Sequence, residues 1–236
     1  MKTICTICAR GGSKGVPNKN IKILNGIPLI AHTINQAKQS QLFSNIVVST
    51  DSKKIADEAI LAGAECWFIR PKYLSNDQAS KLDAIKHAVS KAERKFNIIY
   101  DYVFDLDATS PLRLVSDIQQ SFQYFIKSKA SNLITATPSR KNPYFNMVEF
   151  SGKRIKLIKS IKGSNSPQSR QAAPLVYDMN ASIYIWKRDS LFKETKLINK
   201  NTVMHKMPEE RSIDIDTMTD WHLVELMMKK NIKNES

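Results

Sequence analysis

The sequence predicts an α/β fold built on a mainly parallel, doubly wound sheet, and two observations carry that prediction. Short apolar runs alternate with segments whose apolar residues recur at helical spacing, the pattern of repeated βα units. The first apolar run, Thr3 to Ala9, also stops abruptly in a loop of three glycines, two lysines, an arginine and two asparagines, Arg10 to Asn20. Such units place helices on both faces of the sheet and leave ligands to bind beyond the strand C-termini.

The elements follow in order. Thr3–Ala9 reads as a buried strand. Pro28 can open a helix whose apolar face is Leu29, Ile30, Ile34 and Ala37. Asn45–Ser49 is a second strand, and Ser52 a candidate N-cap for a helix carrying Ile55, Ala56, Ala59 and Ile60, closed by Gly63. Cys66–Ile69 reads as a third strand ending at Arg70-Pro71. A helix from about Gln78 carries Leu82, Ile85, Val89 and Ala92. Tyr102–Leu106 is a fourth strand, and Ile118, Phe122, Phe125 and Ile126 mark the next helix. Leu133–Ala136 is a fifth strand. This order places Arg10, Asp51, Arg70 and Asp107 along one rim.

The second half changes character. Phe145–Phe150, Ser151-Gly152-Lys153 and Ile155–Ile158 read as a hairpin, and the polar stretch Lys162–Pro174 as a mobile loop. Ser182–Trp186 is a strand. Ile213-Asp214-Ile215-Asp216 follows, and Thr217 can cap a C-terminal helix carrying Trp221, Val224, Leu226, Met227 and Met228. With no repeats and no low-complexity linker, residues 1–236 are expected to form one domain, with 140–175 as an excursion from it.

At 236 residues and 42% hydrophobic, the chain can bury a substantial core. No stretch approaches the ~20 apolar residues of a membrane span. Met1-Lys2-Thr3 runs straight into the first strand, unlike a secretory signal, so a cytoplasmic location is expected. The net charge of +14 suits an acidic partner: nucleic acid, a membrane surface or a phosphorylated small molecule. The lysines are spread out, however, and lack the aromatic interleaving of common RNA-binding modules. Cys5, Cys8 and Cys66 make no disulfide framework. Cys5 and Cys8 form C-x-x-C inside a strand, where residues three apart face opposite sides, so a structural role is expected rather than redox or zinc chemistry. His32, His87, His205 and His222 share no metal-like spacing.

The Arg10–Asn20 loop carries the chemistry. Its glycines let backbone N–H groups approach an anion, and Arg10, Lys14 and Lys19 add the charge a polyphosphate needs. It matches neither G-x-G-x-x-G nor G-x-x-x-x-G-K-[ST]. Asp214 and Asp216, two apart on an extended segment, share a face: a solvated strand edge, a pair of Mg²⁺ ligands, or one ligand and one proton acceptor.

The string Arg-Gly-Gly-Ser-Lys-Gly-x-Pro-x-Lys-Asn resembles the signature loop of the nucleotide-sugar cytidylyltransferases. Within them it is most similar to the acylneuraminate cytidylyltransferases, or CMP-sialic acid synthetases. The resemblance extends through Val48-Ser49-Thr50-Asp51, through Arg70-Pro71 with Leu74, Asp77 and Ser80, and through Thr109-Ser110-Pro111-Leu112-Arg113. It continues in Ser169-Arg170-Gln171, in Asn180 with Ile183-Tyr184-Ile185, and in Ser212-Ile213-Asp214-Ile215-Asp216-Thr217, all in the family's order. It implies a Rossmann-like sheet of nucleotidyltransferase type and a Mg²⁺-dependent enzyme, with Mn²⁺ as an alternative, that joins CTP to a nine-carbon keto sugar acid. It further implies a homodimer in which the 140–175 excursion reaches the neighbouring subunit, with no nucleic-acid or membrane partner. Carried over by position, Arg10, Lys19, Asp214 and Asp216 are the catalytic candidates, the two aspartates holding the metal. Arg10, Gly11, Ser13, Lys14, Lys19, Asn20, Arg70 and Lys81 fall on the nucleotide side. Asp107, Arg170, Gln171, Asn180 and Tyr184 fall on the sugar side.

Lys81 stands where the sialic acid enzymes usually carry a small polar residue, and an ordinary surface cation is its other reading. Thr109-Ser110-Pro111 also reads as a plain helix N-terminus, and Arg113 as a contact to sugar or partner. The chain departs from the N-acetylneuraminate enzymes at Asp107, where they carry glutamine, at Phe145, where they tend to carry lysine, and at Asp178. These departures point to a legionaminic-type acid, with N-acetylneuraminic or pseudaminic acid as alternatives. A keto-octulosonate cytidylyltransferase and a basic nucleic-acid-binding protein are the competing readings.

Overall fold

The computed structural model describes residues 1–161 and 167–235. The first part of the predicted Lys162–Pro174 loop, from Lys162 to Ser166, therefore lies outside the described residues. Strand β1 (Thr3–Cys8) leads through the glycine loop to a two-residue hairpin, β2 (Ile23–Leu24) and β3 (Ile27–Pro28). Helix α1 (Leu29–Ser40), β4 (Asn45–Ser49), α2 (Lys53–Leu61), α3 (Lys81–Phe96), β5 (Tyr102–Leu106), α4 (Val115–Ser128) and β6 (Asn132–Pro138) follow. An exposed hairpin, β7 (Val148–Ser151) and β8 (Arg154–Leu157), precedes β9 (Tyr177–Lys187), α5 (Arg188–Lys193), β10 (Thr202–Lys206) and α6 (Met218–Glu235).

Six strands form one sheet in the order β10-β6-β9-β5-β1-β4. All pairings are parallel except those of β9, which runs antiparallel to both β5 and β6. That reversal brings the start of β9 to the C-terminal end of β5, with Leu106 opposite Ile183. The predicted architecture, mainly parallel with helices on both faces, is observed. The sheet is sandwiched by two apolar layers. One packs Cys5, Ile7 and Phe104 against Ile30 and Ile34 of α1 and Phe122 and Phe125 of α4. The other packs Ile4, Val103 and Trp186 against Leu82, Ile85 and Val89 of α3. Each such fully buried side chain is worth about 1.5–3 kcal/mol. Cys5 and Cys8 face opposite layers, as strand periodicity requires, and burial pushes both thiols well up.

Several expectations need correction. Cys66–Ile69 forms no strand. Only Glu65 bridges Val47, after which Trp67 packs edge-on against Phe68 and Phe96 instead of joining the sheet. Ile60, Ile126 and Leu226, expected on apolar faces, are substantially exposed. For Ile60 the reason is topological: α2 packs beside β4 at the edge of the sheet, so only the narrow stripe of Ile55, Ala56 and Ala59 is covered. Segment 213–216 is not a strand and pairs with none among the described residues; Ile215 N–H donating to the Thr109 carbonyl at 3.0 Å secures it. Ser52 occupies the N-cap position of α2 without a side-chain capping bond. Thr217 does cap α6, because Asp220 N–H donates to its hydroxyl while Thr217 N–H donates to the Asp220 carboxylate, a reciprocal capping pair. Strand β10, helix α5 and the β2–β3 hairpin were not anticipated.

Candidate active site

The C-terminal ends of β1, β4 and β5 lie side by side because these strands are parallel neighbours. The glycine loop leaves β1 there and folds back over the rim. Its amide at Gly11 donates to Asp51 Oδ1 at 2.9 Å, which pins the loop to the end of β4. Asn20, 5% exposed, donates from Nδ2 to the Arg10 carbonyl and ties the two ends of the loop together. Gly15 serves a close approach. A Cβ there would sit 1.9 Å from the Asp216 carbonyl oxygen, so loop and 214–216 segment can touch only through a glycine. Gly15→Ala should therefore push Asp214 and Asp216 out of place and lower kcat/KM by about 10²-fold, the scale for a ~1 Å misplacement. Gly12→Ala, whose Cβ meets nothing within 4 Å, should cost far less, and steady-state kinetics on the two variants check the contrast.

Two adjoining cavities open at this rim. The first, about 350 Å³, is lined by Arg10, Ser13, Lys14, Lys19, Asn20, Asp107, Thr109, Asp214 and Asp216. The second, about 290 Å³, is lined by Arg70, Asp77, Ser80 and Lys81 and shares Cys8, Arg10 and Asp107 with the first. Cations and carboxylates interleave. Lys19 Nζ reaches the Ile215 carbonyl and stands 3.3 Å from Asp216 Oδ1. Arg10 and Lys14 both pair with Asp77, and their hydrogen bonds hold its carboxyl below the usual range. Arg70, 5% exposed, donates from Nε to Ser75 Oγ at 3.1 Å.

Asp105, Asp107, Asp214 and Asp216 sit close together here, and the environments of the first three set their acidities apart. Burial first, then the negative charge of Asp107, pushes Asp214 up to about 6. Among the described residues its Oδ1, though buried, has no hydrogen-bond partner. Burial alone would raise Asp107 too, but the Lys81 charge and hydrogen bonds from Lys81 and Thr109 hold it well below the usual carboxylate range. Asp105, in mid-β5 and fully buried, is raised by its burial. Asp216 is exposed, its amide fixed by donation to Asp220 Oδ2 at 3.1 Å.

Ten of the sequence-predicted residues thus converge: Arg10, Ser13, Lys14, Lys19, Asn20, Arg70, Lys81, Asp107, Asp214 and Asp216. Gly11 supports the loop from behind. Tyr184 lies beneath, its ring centre 5.0 Å from Lys81 Nζ. Asn180 is 5% exposed, and its amide is engaged internally by Thr135, Ser182 and Ser212. Ala181, next to it, takes φ of 54°, in the left-handed region that few residues without a glycine's freedom adopt. Arg170 donates to the Ser139 carbonyl at 2.6 Å, and neither it nor Gln171 lines the two cavities. Arg113, read as a contact to sugar or partner, is 1% exposed within the subunit. It donates to the Ser182 carbonyl, Thr33 Oγ1 and Gln36 Oε1, which makes it a strut between β9 and α1. Asp105 and Asp77 were missed as members of the site. The Lys81 spacing could not reveal Asp105, which lies in an apolar strand and meets Lys81 only through the tertiary fold.

The fold and the rim of phosphate-suited cations facing carboxylates define a nucleotidyltransferase. A family model described as cytidylyltransferase matches residues 4–226, and the chain belongs to that family. It is 46% identical over 233 residues to a CMP-N,N'-diacetyllegionaminic acid synthase of Campylobacter jejuni, covering 99% of this chain and 97% of the relative. It is 32% identical to a pseudaminic acid cytidylyltransferase of Campylobacter jejuni, covering 98% of each chain. Among solved structures, a CMP:2-keto-3-deoxy-manno-octonic acid synthetase complexed with CTP superposes with a TM-score of 0.72 at 17% identity, covering 98% of this chain and all of the other. At that identity the superposition establishes the fold. Among the described residues, no helix is long and apolar enough to cross a membrane.

Proposed function

We propose that the enzyme joins CTP to a nonulosonic acid, releasing pyrophosphate and giving a CMP-sugar, with a legionaminic-type acid as the favoured substrate. The observation that carries this reading is the single cavity in which Arg10, Lys14 and Lys19 face Asp214 and Asp216 at the strand ends of a cytidylyltransferase. The anomeric hydroxyl oxygen attacks the α-phosphorus, the bridging bond to the β-phosphate breaks, and pyrophosphate leaves. The hydroxyl proton passes to a carboxylate of the site. No protein nucleophile is needed; the chain's work is positioning and charge neutralisation between two anions. Arg10, Lys14 and Lys19 bind the triphosphate, and Arg70 supplies a further fixed cation in the second cavity.

Asp214 and Asp216 fit a Mg²⁺ or Mn²⁺ ion. Both line the cavity, Asp214 Oδ1 is a buried oxygen with no hydrogen-bond partner among the described residues, and two carboxylates suffice when phosphate oxygens and water complete the shell. Bound there, the ion would neutralise developing charge on the phosphates.

The preference for a legionaminic-type acid rests on Asp107 and Phe145. Glutamine offers donor and acceptor; the shorter ionised aspartate only accepts, favouring a sugar that presents an N–H or O–H donor. Phe145 lines neither cavity of its own subunit, so an apolar wall from it for a 9-deoxy tail would have to come from the excursion. The relatives at 46% and 32% identity support a CMP-nonulosonate product and differ on which acid. Pyrophosphate release from CTP with a panel of nine-carbon keto acids tests the reading. A di-N-acylated 9-deoxy acid should be preferred over N-acetylneuraminic acid, and Asp107→Gln should narrow that ratio. A wild type that prefers N-acetylneuraminic acid would refute the specificity argument alone.

We also propose a homodimer built on the excursion near residues 140–175. The β7–β8 hairpin presents Phe150, Ile155 and Val148 at 83%, 65% and 55% exposure, and Leu175 nearby at 85%. Two strands alone cannot bury such residues, and a second copy of the chain is the natural cover. Arg170 and Gln171, outside their own subunit's cavities, would then serve the partner's sugar side. Light scattering at micromolar concentration should give a dimer; a fully active monomer would contradict this.

A further inference from the structure

Asp107 has almost no hydrogen-bonding capacity left. Its Oδ1 accepts from Thr109 N–H at 3.1 Å and from the Thr109 hydroxyl at 2.7 Å. Its Oδ2 accepts from Lys81 Nζ at 2.7 Å. An ionised carboxylate offers about four acceptor positions, which among the described residues leaves one, on Oδ2. Where that position points depends on Lys81, and Lys81 is held from below. Asp105 Oδ2 lies 3.1 Å from its Nζ, and the Tyr184 ring closes a third side at 5.0 Å. Asp105 itself is fully buried in β5 between Thr6 and Tyr184, and accepts from Thr6 Oγ1 at 2.9 Å. Lys81 thus lies between one carboxylate held in the sheet by Thr6, facing it as an ion pair without a hydrogen bond, and another held in the turn after β5 by Thr109.

We infer that Lys81, anchored by Asp105, is a positioning residue for substrate choice: it fixes the single free acceptor of Asp107 towards one donor on the sugar acid. This deepens the proposed reading and rests on it. It also moves Lys81 from the nucleotide side, where the sequence placed it, to the sugar side. A lysine here neutralises Asp107 towards an incoming anionic acid while leaving it an acceptor. Asp105 acts only through Lys81. An unpartnered buried carboxylate is costly, so Asp105 and Lys81 are also coupled in stability.

The test compares Lys81→Met, Asp105→Asn and the double variant Lys81→Met/Asp105→Asn with wild type. Each is checked for folding by circular dichroism and thermal melting. Steady-state kinetics are measured with CTP and with each of two acids, a di-N-acylated 9-deoxy nonulosonic acid and N-acetylneuraminic acid. Lys81→Met should collapse the kcat/KM ratio between the acids by about tenfold, the scale of one specific hydrogen bond. Asp105→Asn should produce a smaller collapse, and in both the KM for the acid should move far more than that for CTP. If Lys81→Met fails to fold because Asp105 is stranded, the double variant removes that charge and is read in its place. A rise in the KM for CTP with the acid ratio intact would make Lys81 a nucleotide contact and overturn the inference, as would a ratio unmoved in all variants. A wild type inert towards CTP with every nine-carbon keto acid would instead overturn the underlying functional reading.

Discussion

Asp216→Asn should abolish turnover while leaving the fold intact, and Asp214→Asn should be severe. Neither residue supports the sheet. Segment 213–216 hangs on Ile215, which is fully buried against Val16, Leu29 and Trp221, and on the Asp220 carboxylate that caps α6. The substitutions leave both supports in place, so melting temperatures should hardly move. The two carboxylates face the cavity on either side of that buried isoleucine, and in the proposed reading losing one removes half of the charge that would hold the metal. EDTA should silence the wild type and Mg²⁺ restore it; full activity in a metal-free assay would refute the assignment. A pH dependence follows. Asp214 is an acid whose pKa in the folded protein is raised to about 6, so its protonated form accumulates below that pH. A protonated carboxyl ligates poorly, and apparent Mg²⁺ affinity should fall by up to about tenfold per unit as the pH drops below about 6. A metal titration at three pH values checks the sign.

Arg10→Ala should lower kcat/KM by ~10²–10³, the scale for losing one preorganised charge-stabilising donor. Arg10 lines both cavities, so in the proposed reading its guanidinium stands where the two substrates would meet. Its backbone carbonyl is held by Asn20, and the substitution leaves that bond in place. In the free enzyme the side chain pairs with Asp77, 2.7 Å away. Removing it therefore also frees Lys14 to take Asp77 alone, and the loss should be read in kcat as well as KM. A change of less than a few-fold would demote the loop to a surface turn.

Much of this was legible in the sequence, and the limits have physical causes. The strands β1, β4, β5 and β6 announce themselves because each is buried on both faces and reads as a short apolar run. Helix α3 was legible because Leu82, Ile85, Val89 and Ala92 keep one register for its whole length. Strand β10 was not, because Thr202–Lys206 alternates weakly at the sheet edge and none of its residues is buried. The antiparallel course of β9 cannot be read from Tyr177–Lys187 at all, since direction is set by its neighbours. In the site, local strings such as Arg10–Asn20 and Asp214–Asp216 carried their own signal. Arg113 did not, since an arginine after Ser-Pro-Leu looks exposed until the fold buries it under β9. Asp105, two residues before Asp107, was hidden for the same reason, because its partner Lys81 comes from another element.

The most direct test of the central claim is ³¹P NMR of CTP incubated with the enzyme, Mg²⁺ and a di-N-acylated nine-carbon keto acid. The predicted result is loss of the three CTP resonances with matched growth of pyrophosphate and one phosphodiester signal. This should occur only when the acid is present and should be lost in Asp216→Asn. Unchanged CTP in the presence of every acid in the panel, or pyrophosphate release independent of the acid, would contradict the assignment of this rim as a CMP-sugar-forming site.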